Sequence, residues 1–421
     1  MEILFFALGS HGDVHPMLGL AIALRERGHR VAVATSPYYQ DLLDRIGMPL
    51  IPLGTSEELL EVMRDPLLWD PWHGFNFLVE RMMLRSLRPT YGVIAEHYVP
   101  GETIVVAPPT ALGARVAQEK LGVPLATVHL SPVAVQSTYQ APVLPPMLTA
   151  NWVPRWLKKF QFWIVNNLII DRKLAGPINQ FRGELGLPPV HGIMNPWWNS
   201  PQLALCLFPD WFGPRQPDWP AQIVHTGFPL WDEREVTPIS PEVEAFLQAG
   251  GAPIAFTPGS AMLHGHEFFR AAVEACQRTG RRGILLTRHP EQIPRQLPPS
   301  VRHFDFVPLG QLLPRCAAIV HHAGVGTLAQ GLAAGIPHVA MPMAHDQHDN
   351  AARLARLGVG ASIATKQFTS AALARTLQSL LSSNDVIRRC QELHDTFDTP
   401  ATLRKSCERI ENLAADQTLG K

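Results

Sequence analysis

The sequence predicts an α/β protein built from two doubly wound domains, and three observations carry that expectation. Its 421 residues exceed what a single hydrophobic core usually holds together. Apolar runs of strand length alternate with helix-length amphipathic stretches. The alternation lapses in mid-chain and then restarts, as a second domain would require.

The first unit comprises an apolar run from Ile3 to Leu8, a turn holding Gly9 and Gly12, a helical pattern from Met17 to Glu26, and a second run from Arg30 to Thr35. A crossover of that length joins parallel strands. Thr103–Ala107, the helical stretch Leu112–Leu121 and the run Val123–Val128 repeat the pattern. Between 141 and 200 the rhythm is lost while Pro and Trp accumulate, with Trp152, Trp156, Trp163, Trp197 and Trp198 among them. That stretch reads as an aromatic insertion in a first domain spanning 1–228. The polar segment 229–240 reads as a linker. A second domain, 241–395, follows through Pro253–Thr257, Glu267–Thr279, Gly283–Thr287, Ala317–His321, Thr327–Ala334 and His338–Met341. The last segment, 396–421, is expected to be a helix packing back on the first domain. Two Rossmann-like halves facing across a cleft are the resulting architecture.

Composition narrows the function. Lys plus Arg equal Asp plus Glu at 36 each, so there is no basic footprint for nucleic acid. The cysteines Cys206, Cys276, Cys316, Cys390 and Cys407 are odd in number and show no CxxC spacing. They read as reduced thiols of a cytoplasmic protein, not as a disulfide frame or a zinc site. The N-terminal apolar run lacks a basic flank and is broken by Gly9, which suits a strand better than a signal peptide. No apolar stretch is long enough to span a membrane. The expected location is the cytoplasm, with peripheral contact at the inner membrane face.

After the run ending at Val320 comes His321-His322-Ala323-Gly324-Val325-Gly326-Thr327, then a helical stretch. Strand, Gly-bearing turn and helix N-terminus in that order suit an anion, because free N–H groups and the positive helix end both favour negative charge. His322 would add a side-chain donor and Thr327 a hydroxyl. A plain tight turn with surface histidines reads the same residues, so the loop alone does not decide. The acidic and polar segment Met343 to Asp349 invites a metal reading, but no third region of matched ligands accompanies it, and no metal is expected.

The neighbours of the loop carry a resemblance. Phe306-Val307-Pro308, the His322–Thr327 loop, Gly335-Ile336-Pro337 and Asp346-Gln347 follow one another as in the family-one glycosyltransferases of the GT-B fold, and Gly12-Asp13-Val14-His15-Pro16 extends the likeness to the start of the chain. The resemblance implies a nucleotide-sugar donor as co-substrate, with no cofactor. Phe306 and Val307 would contact its base, and Ser260 with the loop residues His322, Gly324, Gly326 and Thr327 would hold its diphosphate. Asp346 and Gln347 would bind sugar hydroxyls, for which an Asp-Gln pair offers both acceptors and donors. Many members carry Glu where this chain has Gln330; a neutral amide weakens the demand for a ribose 2′-hydroxyl and favours a dTDP-sugar, without excluding UDP.

Sugar transfer also needs a base for the acceptor hydroxyl. Asp13 stands where many members have His, as in a bacterial branch of the family, and an aspartate is ionised at neutral pH. Asp13 reads equally as an N-cap of a helix beginning near Pro16. His11 and His15 are alternative or supporting groups.

The acceptor half is similar to bacterial rhamnosyltransferases that join rhamnose from dTDP-rhamnose to a hydroxyalkanoyl lipid. Asp65–Pro71, Ala111–Lys120, Cys206–Pro209, Asp218–Pro220 and Thr226–Leu230 carry that likeness. It implies an inverting enzyme with a lipophilic acceptor. Trp156 to Val165 interleaves aromatic and basic residues, as an interfacial helix would; a core helix with an exposed Lys pair reads alike. Two other readings remain open here: a sugar-nucleotide epimerase of the same fold, and a non-catalytic sugar-nucleotide-binding subunit.

Overall fold

The computed structural model describes residues 1–70, 73–150 and 152–419. Pro71, which ends one of the strings carrying the resemblance, and the final two residues of the C-terminal segment lie outside the described residues.

The first sheet contains β1 (Glu2–Phe6), β2 (Arg30–Thr35), β3 (Leu50–Pro52), β4 (Thr103–Ala107), β5 (Leu125–His129), β6 (Leu203–Cys206) and β7 (Ile223–His225), ordered β3-β2-β1-β4-β5-β6-β7. The second contains β8 (Ile254–Thr257), β9 (Gly283–Leu286), β10 (Val301–Phe304), β11 (Ala318–His321), β12 (His338–Ala340) and β13 (Gly360–Ser362), ordered β10-β9-β8-β11-β12-β13. Each paired neighbour is parallel. Helices cover both faces of such sheets, so central strands read as unbroken apolar runs; β4 and β5 are buried at every position.

The two strand orders reverse at equivalent places, between β1 and β4 and between β8 and β11. Chain leaving neighbouring strands turns to opposite faces there, which opens a crevice at their carboxyl ends. The turns carrying Asp13, Ser260 and His322 all lie at these two switch points.

The insertion forms two helices, Arg155–Trp163 and Asp171–Glu184, joined by a π-turn at Ile164–Ile170. Leu174, Ile178, Trp197 and Trp198 pack against Leu87, Leu112 and Val116 of the first domain. The other tryptophans of the segment, Trp152, Trp156 and Trp163, are exposed. The C-terminal helix Thr399–Leu419 lies on the first helix, His11–Glu26, with Cys407, Ile410 and Leu413 joining that domain's core. Glu411 reinforces the contact by accepting from Arg27 Nε and Nη2, each at 2.7 Å, and from His29 at 2.8 Å. All five cysteines are free and buried, and burial pushes the Cys276 and Cys316 thiols up to about 12. Among the described residues no helix is long and apolar enough to cross a membrane.

Ile410 is fully buried where the C-terminal helix meets the first domain. Ile410→Ala should therefore lower stability in urea denaturation by about 2–5 kcal/mol, the usual cost of such a cavity.

Candidate active site

The first helix starts at His11, six residues earlier than the periodicity suggests, because its first turn is locally capped. Ser10 is the N-cap and Asp13 the third residue of the helix; Asp13 Oδ2 accepts from Ser10 N–H at 2.8 Å and from Ser10 Oγ at 3.2 Å. Asp13 is thus not the N-cap. It closes the capping turn with one oxygen, while Oδ1 has no hydrogen-bond partner among the described residues. Gly9 makes room for it: φ there is 125°, and a Cβ would stand 2.3 Å from Asp13 Oδ2. Burial raises the Asp13 pKa, against the two Ser10 hydrogen bonds.

The helix that follows β11 runs Val325–Ala333 with Gly324 as its N-cap. Its two glycines have different tasks. A Cβ at Gly324 would stand 2.2 Å from the His322 ring, and one at Gly259 would stand 2.6 Å from it, so the imidazole is seated between two glycines. Gly326 instead faces the other domain: a Cβ there would lie 3.3 Å from Gly12 Cα. Burial holds the His322 pKa down to about 4, so the ring is a neutral donor at neutral pH; its Nδ1 has no hydrogen-bond partner among the described residues.

The loop's shape depends on a buried relay. Ala323 has φ of 69°, a left-handed conformation that a residue with a Cβ adopts only under constraint. Its N–H donates to His321 Nδ1 at 3.1 Å, which leaves the His321 proton on Nε2 to donate to His338 Nδ1 at 3.0 Å. Burial lowers the pKa of both rings, His338 to about 3, so the relay is neutral. On the other side Asn350 Nδ2 donates to Ala323 O at 2.9 Å and to Asp346 Oδ2 at 2.7 Å, while Ser131 Oγ from the first domain donates to Asn350 Oδ1 at 3.1 Å.

Between the domains lies an open cleft. His11, Ser260, Phe306, Val307, Gly326, Thr327 and Gln330 all line it. Leu130, Leu207 and Phe228 of the first domain, with Pro229, Leu230 and Trp231 of the linker, give it an apolar stretch of wall beside His11, His15 and Tyr38. Asp13, His322, Gly324, Asp346 and Gln347 are not among the residues that line it.

Two charged residues that the sequence pattern does not single out, Arg288 and Glu233, meet at the cleft. Arg288, just past β9, holds its guanidinium 4.8 Å above the Phe306 ring and donates from Nη1 to His11 Nε2 at 3.1 Å. Glu233, in the linker, is 1% exposed with φ of 69°. Although burial opposes ionisation, hydrogen bonds from His15 at 3.2 Å and Arg45 at 2.7 Å hold its carboxyl down to about 2, with Arg288 3.9 Å away. His11, His15 and Glu233 each bring a ligand atom within 4.8 Å of the others, the spacing of a metal site. Arg45 and Arg288 already neutralise the carboxylate, and Arg288 occupies the His11 lone pair, so the geometry suits an ion-pair network better than a cation site. Burial, then His15 and Arg288, lower the His11 pKa to about 3, which makes this ring a poor proton acceptor.

Asp346 stands at the N-cap position of the helix Gln347–Leu357 without a side-chain capping bond, and burial raises its pKa to about 6 despite the Asn350 hydrogen bond; the charge of Asp13 adds to the rise. The two carboxyls, one from each domain, therefore sense one another. Gln347 differs from expectation. Its Oε1 accepts from the Met343 and Ala344 N–H groups at 2.8 and 3.2 Å, so its acceptor is spent bracing the loop and only its amide nitrogen is left for a sugar. Next to it, His345 (φ 58°) reaches back to the first domain and donates to Leu68 O at 2.8 Å.

Residues 3–140 match the glycosyltransferase family 28 N-terminal domain, and residues 284–410 match the erythromycin biosynthesis protein CIII-like C-terminal domain. Glycosyltransferase GtfE of Amycolatopsis orientalis is 31% identical over 400 residues, 92% of each chain. Among solved structures, the glycotransferase of kitacinnamycin superposes with a TM-score of 0.74 at 21% identity, covering 98% of this chain and 99% of that one. The spinosyn rhamnosyltransferase SpnG complexed with thymidine diphosphate does so at 0.68 and 19%, covering 97% and 100%. The fold is GT-B. The chain belongs to the glycosyltransferases of the macrolide and glycopeptide group, and that membership answers the epimerase alternative.

If the two glycines around His322 serve to seat its ring, Gly324→Ala and Gly259→Ala should each weaken nucleoside diphosphate binding about tenfold or more in calorimetry, with the fold retained. Unchanged affinity in both variants would separate the His322 position from donor binding.

Proposed function

We propose that the chain is an inverting glycosyltransferase that moves a 6-deoxyhexose, L-rhamnose foremost, from its dTDP donor to the hydroxyl of a lipophilic acceptor such as a hydroxyalkanoyl lipid. The observation that carries the reading is a buried carboxylate beside an anion site: Asp13, with one oxygen uncommitted, directly follows Gly12, where the first helix meets the helix Val325–Ala333. The diphosphate would lie on the free N–H groups at the start of the helix Val325–Ala333, with Ser260, Thr327 and the neutral His322 as further donors. Its negative charge grows as the sugar bond breaks, and fixed donors aimed at growing charge are the strongest form of catalytic stabilisation. Phe306 and Val307 would flank the base, and Gln330 the deoxyribose.

Asp13 would take the acceptor proton as the acceptor oxygen attacks the sugar carbon opposite the departing diphosphate, which inverts that centre. The raised pKa suits a base working near neutrality. Asp346 would bind a sugar hydroxyl. The apolar cleft wall from Leu130 to Trp231 supports a lipophilic acceptor. The donor reading is supported by SpnG, a rhamnosyltransferase of the same fold whose structure holds thymidine diphosphate. Five buried free thiols and no disulfide suit a reducing cytoplasm.

A donor-by-acceptor screen with mass-spectrometric detection tests the reading. In competition binding, dTDP should bind at least as tightly as UDP; a clear preference for UDP would break the inference from Gln330. Asp13→Asn keeps the shape and the Ser10 contact, so donor affinity should hold within a few-fold while turnover falls about 10²- to 10⁴-fold. In the wild type, turnover should decline as pH falls through a value above the ordinary aspartate range, because protonation removes the base. A folded Asp13→Asn enzyme with near wild-type turnover would confine Asp13 to its capping role.

A further inference from the structure

The structure assigns the exposed face of the helix Arg155–Trp163 and its flanks to docking on an anionic lipid bilayer. Large exposed apolar side chains cluster here: Trp152 and Trp156 are 80% and 70% exposed, and Phe160, Trp163, Leu168 and Ile169 are also open to solvent. Trp156, Phe160 and Trp163 recur at the spacing that puts them on one helical face, and the Phe160 and Trp163 rings stack at 6.4 Å. The opposite side is fixed to the protein: Phe162 is buried, and Ile170 and Leu174 continue into the first-domain core. A folded chain does not ordinarily leave so much contiguous aromatic surface in water without a partner for it.

Charge distinguishes between partners. Residues 141–170 contain no Asp or Glu, while Arg155 and Lys159 are exposed on the same helix and Arg172 is exposed just beyond it. None of the three has a carboxylate partner among the described residues; the Arg155 guanidinium instead lies 3.4 Å over the Tyr139 ring. Trp at the rim with Arg and Lys beside it matches the two layers of a bilayer surface, where indoles settle at headgroup depth and cations meet lipid phosphates. A second copy of the chain fits less well, because apposing this face with itself brings like charges together.

The face is linked to the cleft. Asn166 and Gln136 exchange hydrogen bonds at 2.8 and 3.0 Å, joining the π-turn to the loop after β5, and that loop starts at Leu130 in the cleft wall and reaches Asn350 through Ser131. The docking inference stands on the exposed face and is independent of the acceptor reading.

The test is co-sedimentation of the full chain with vesicles of phosphatidylglycerol mixed with phosphatidylcholine, against phosphatidylcholine alone, followed also by tryptophan fluorescence. The wild type should pellet with the anionic vesicles, with a blue shift and with weakening as salt is raised. Trp156→Ser combined with Trp163→Ser should reduce partitioning about tenfold or more at unchanged melting temperature. Lys159→Glu should lower it on anionic vesicles alone. Three outcomes would overturn the inference: no wild-type binding to either vesicle, undiminished binding by the double variant, or a wild-type dimer that the double variant dissociates, which would assign the face to a second copy.

Discussion

Two helix N-termini, one from each domain, meet across the cleft with only glycine between them. Gly12 in the first turn of His11–Glu26 and Gly326 in the first turn of Val325–Ala333 approach so closely that a side chain at Gly326 would press on the Gly12 backbone. Both ends are positive, each by about half a charge. Their apposition would repel if nothing negative were held nearby, and three acids are held there: Asp13 and Asp346 behind the two turns, and Glu233 in the linker beside them. The same electrostatics that calls for these acids suits the departing diphosphate of a sugar transfer.

Glu233 links this arrangement to the positions of the domains. It takes hydrogen bonds from His15 and Arg45 of the first domain and lies 3.9 Å from Arg288 of the second, in a left-handed backbone conformation at the point where the chain passes between them. Arg288 in turn meets His11 and covers Phe306. The contact between the domains and the placement of Phe306 therefore share one ion-pair network. Around the loop His322–Thr327 the design is different: a neutral chain of His338, His321, Ala323, Asn350 and Ser131 sets the loop by hydrogen bonds alone, so its shape is in place before any ligand binds.

Much of this is legible in the sequence, for a local reason. Strands buried on both faces must be apolar throughout, so β1, β2, β4, β8 and β11 stand out as runs, and a turn that needs glycine beside a helix start shows itself at 322–327. The short edge strands β3 and β13 bury less and leave no comparable signal. The helix start at His11 is hidden because its cap is a side-chain contact between Ser10 and Asp13, not a change in periodicity. Glu233 and Arg288 escape a local reading because their partners in the first domain lie 188 to 277 residues away in the chain. The motif alone points Gln347 at the sugar, and only the fold reveals that its oxygen braces Met343 and Ala344.

A crystal structure of the chain with dTDP would show directly where the diphosphate lies. Both phosphates should rest against the first N–H groups of Val325–Ala333, within hydrogen-bond reach of His322, Ser260 or Thr327, with the base beside Phe306. A diphosphate elsewhere in the cleft, away from that helix end and from His322, would contradict its placement at the paired helix ends.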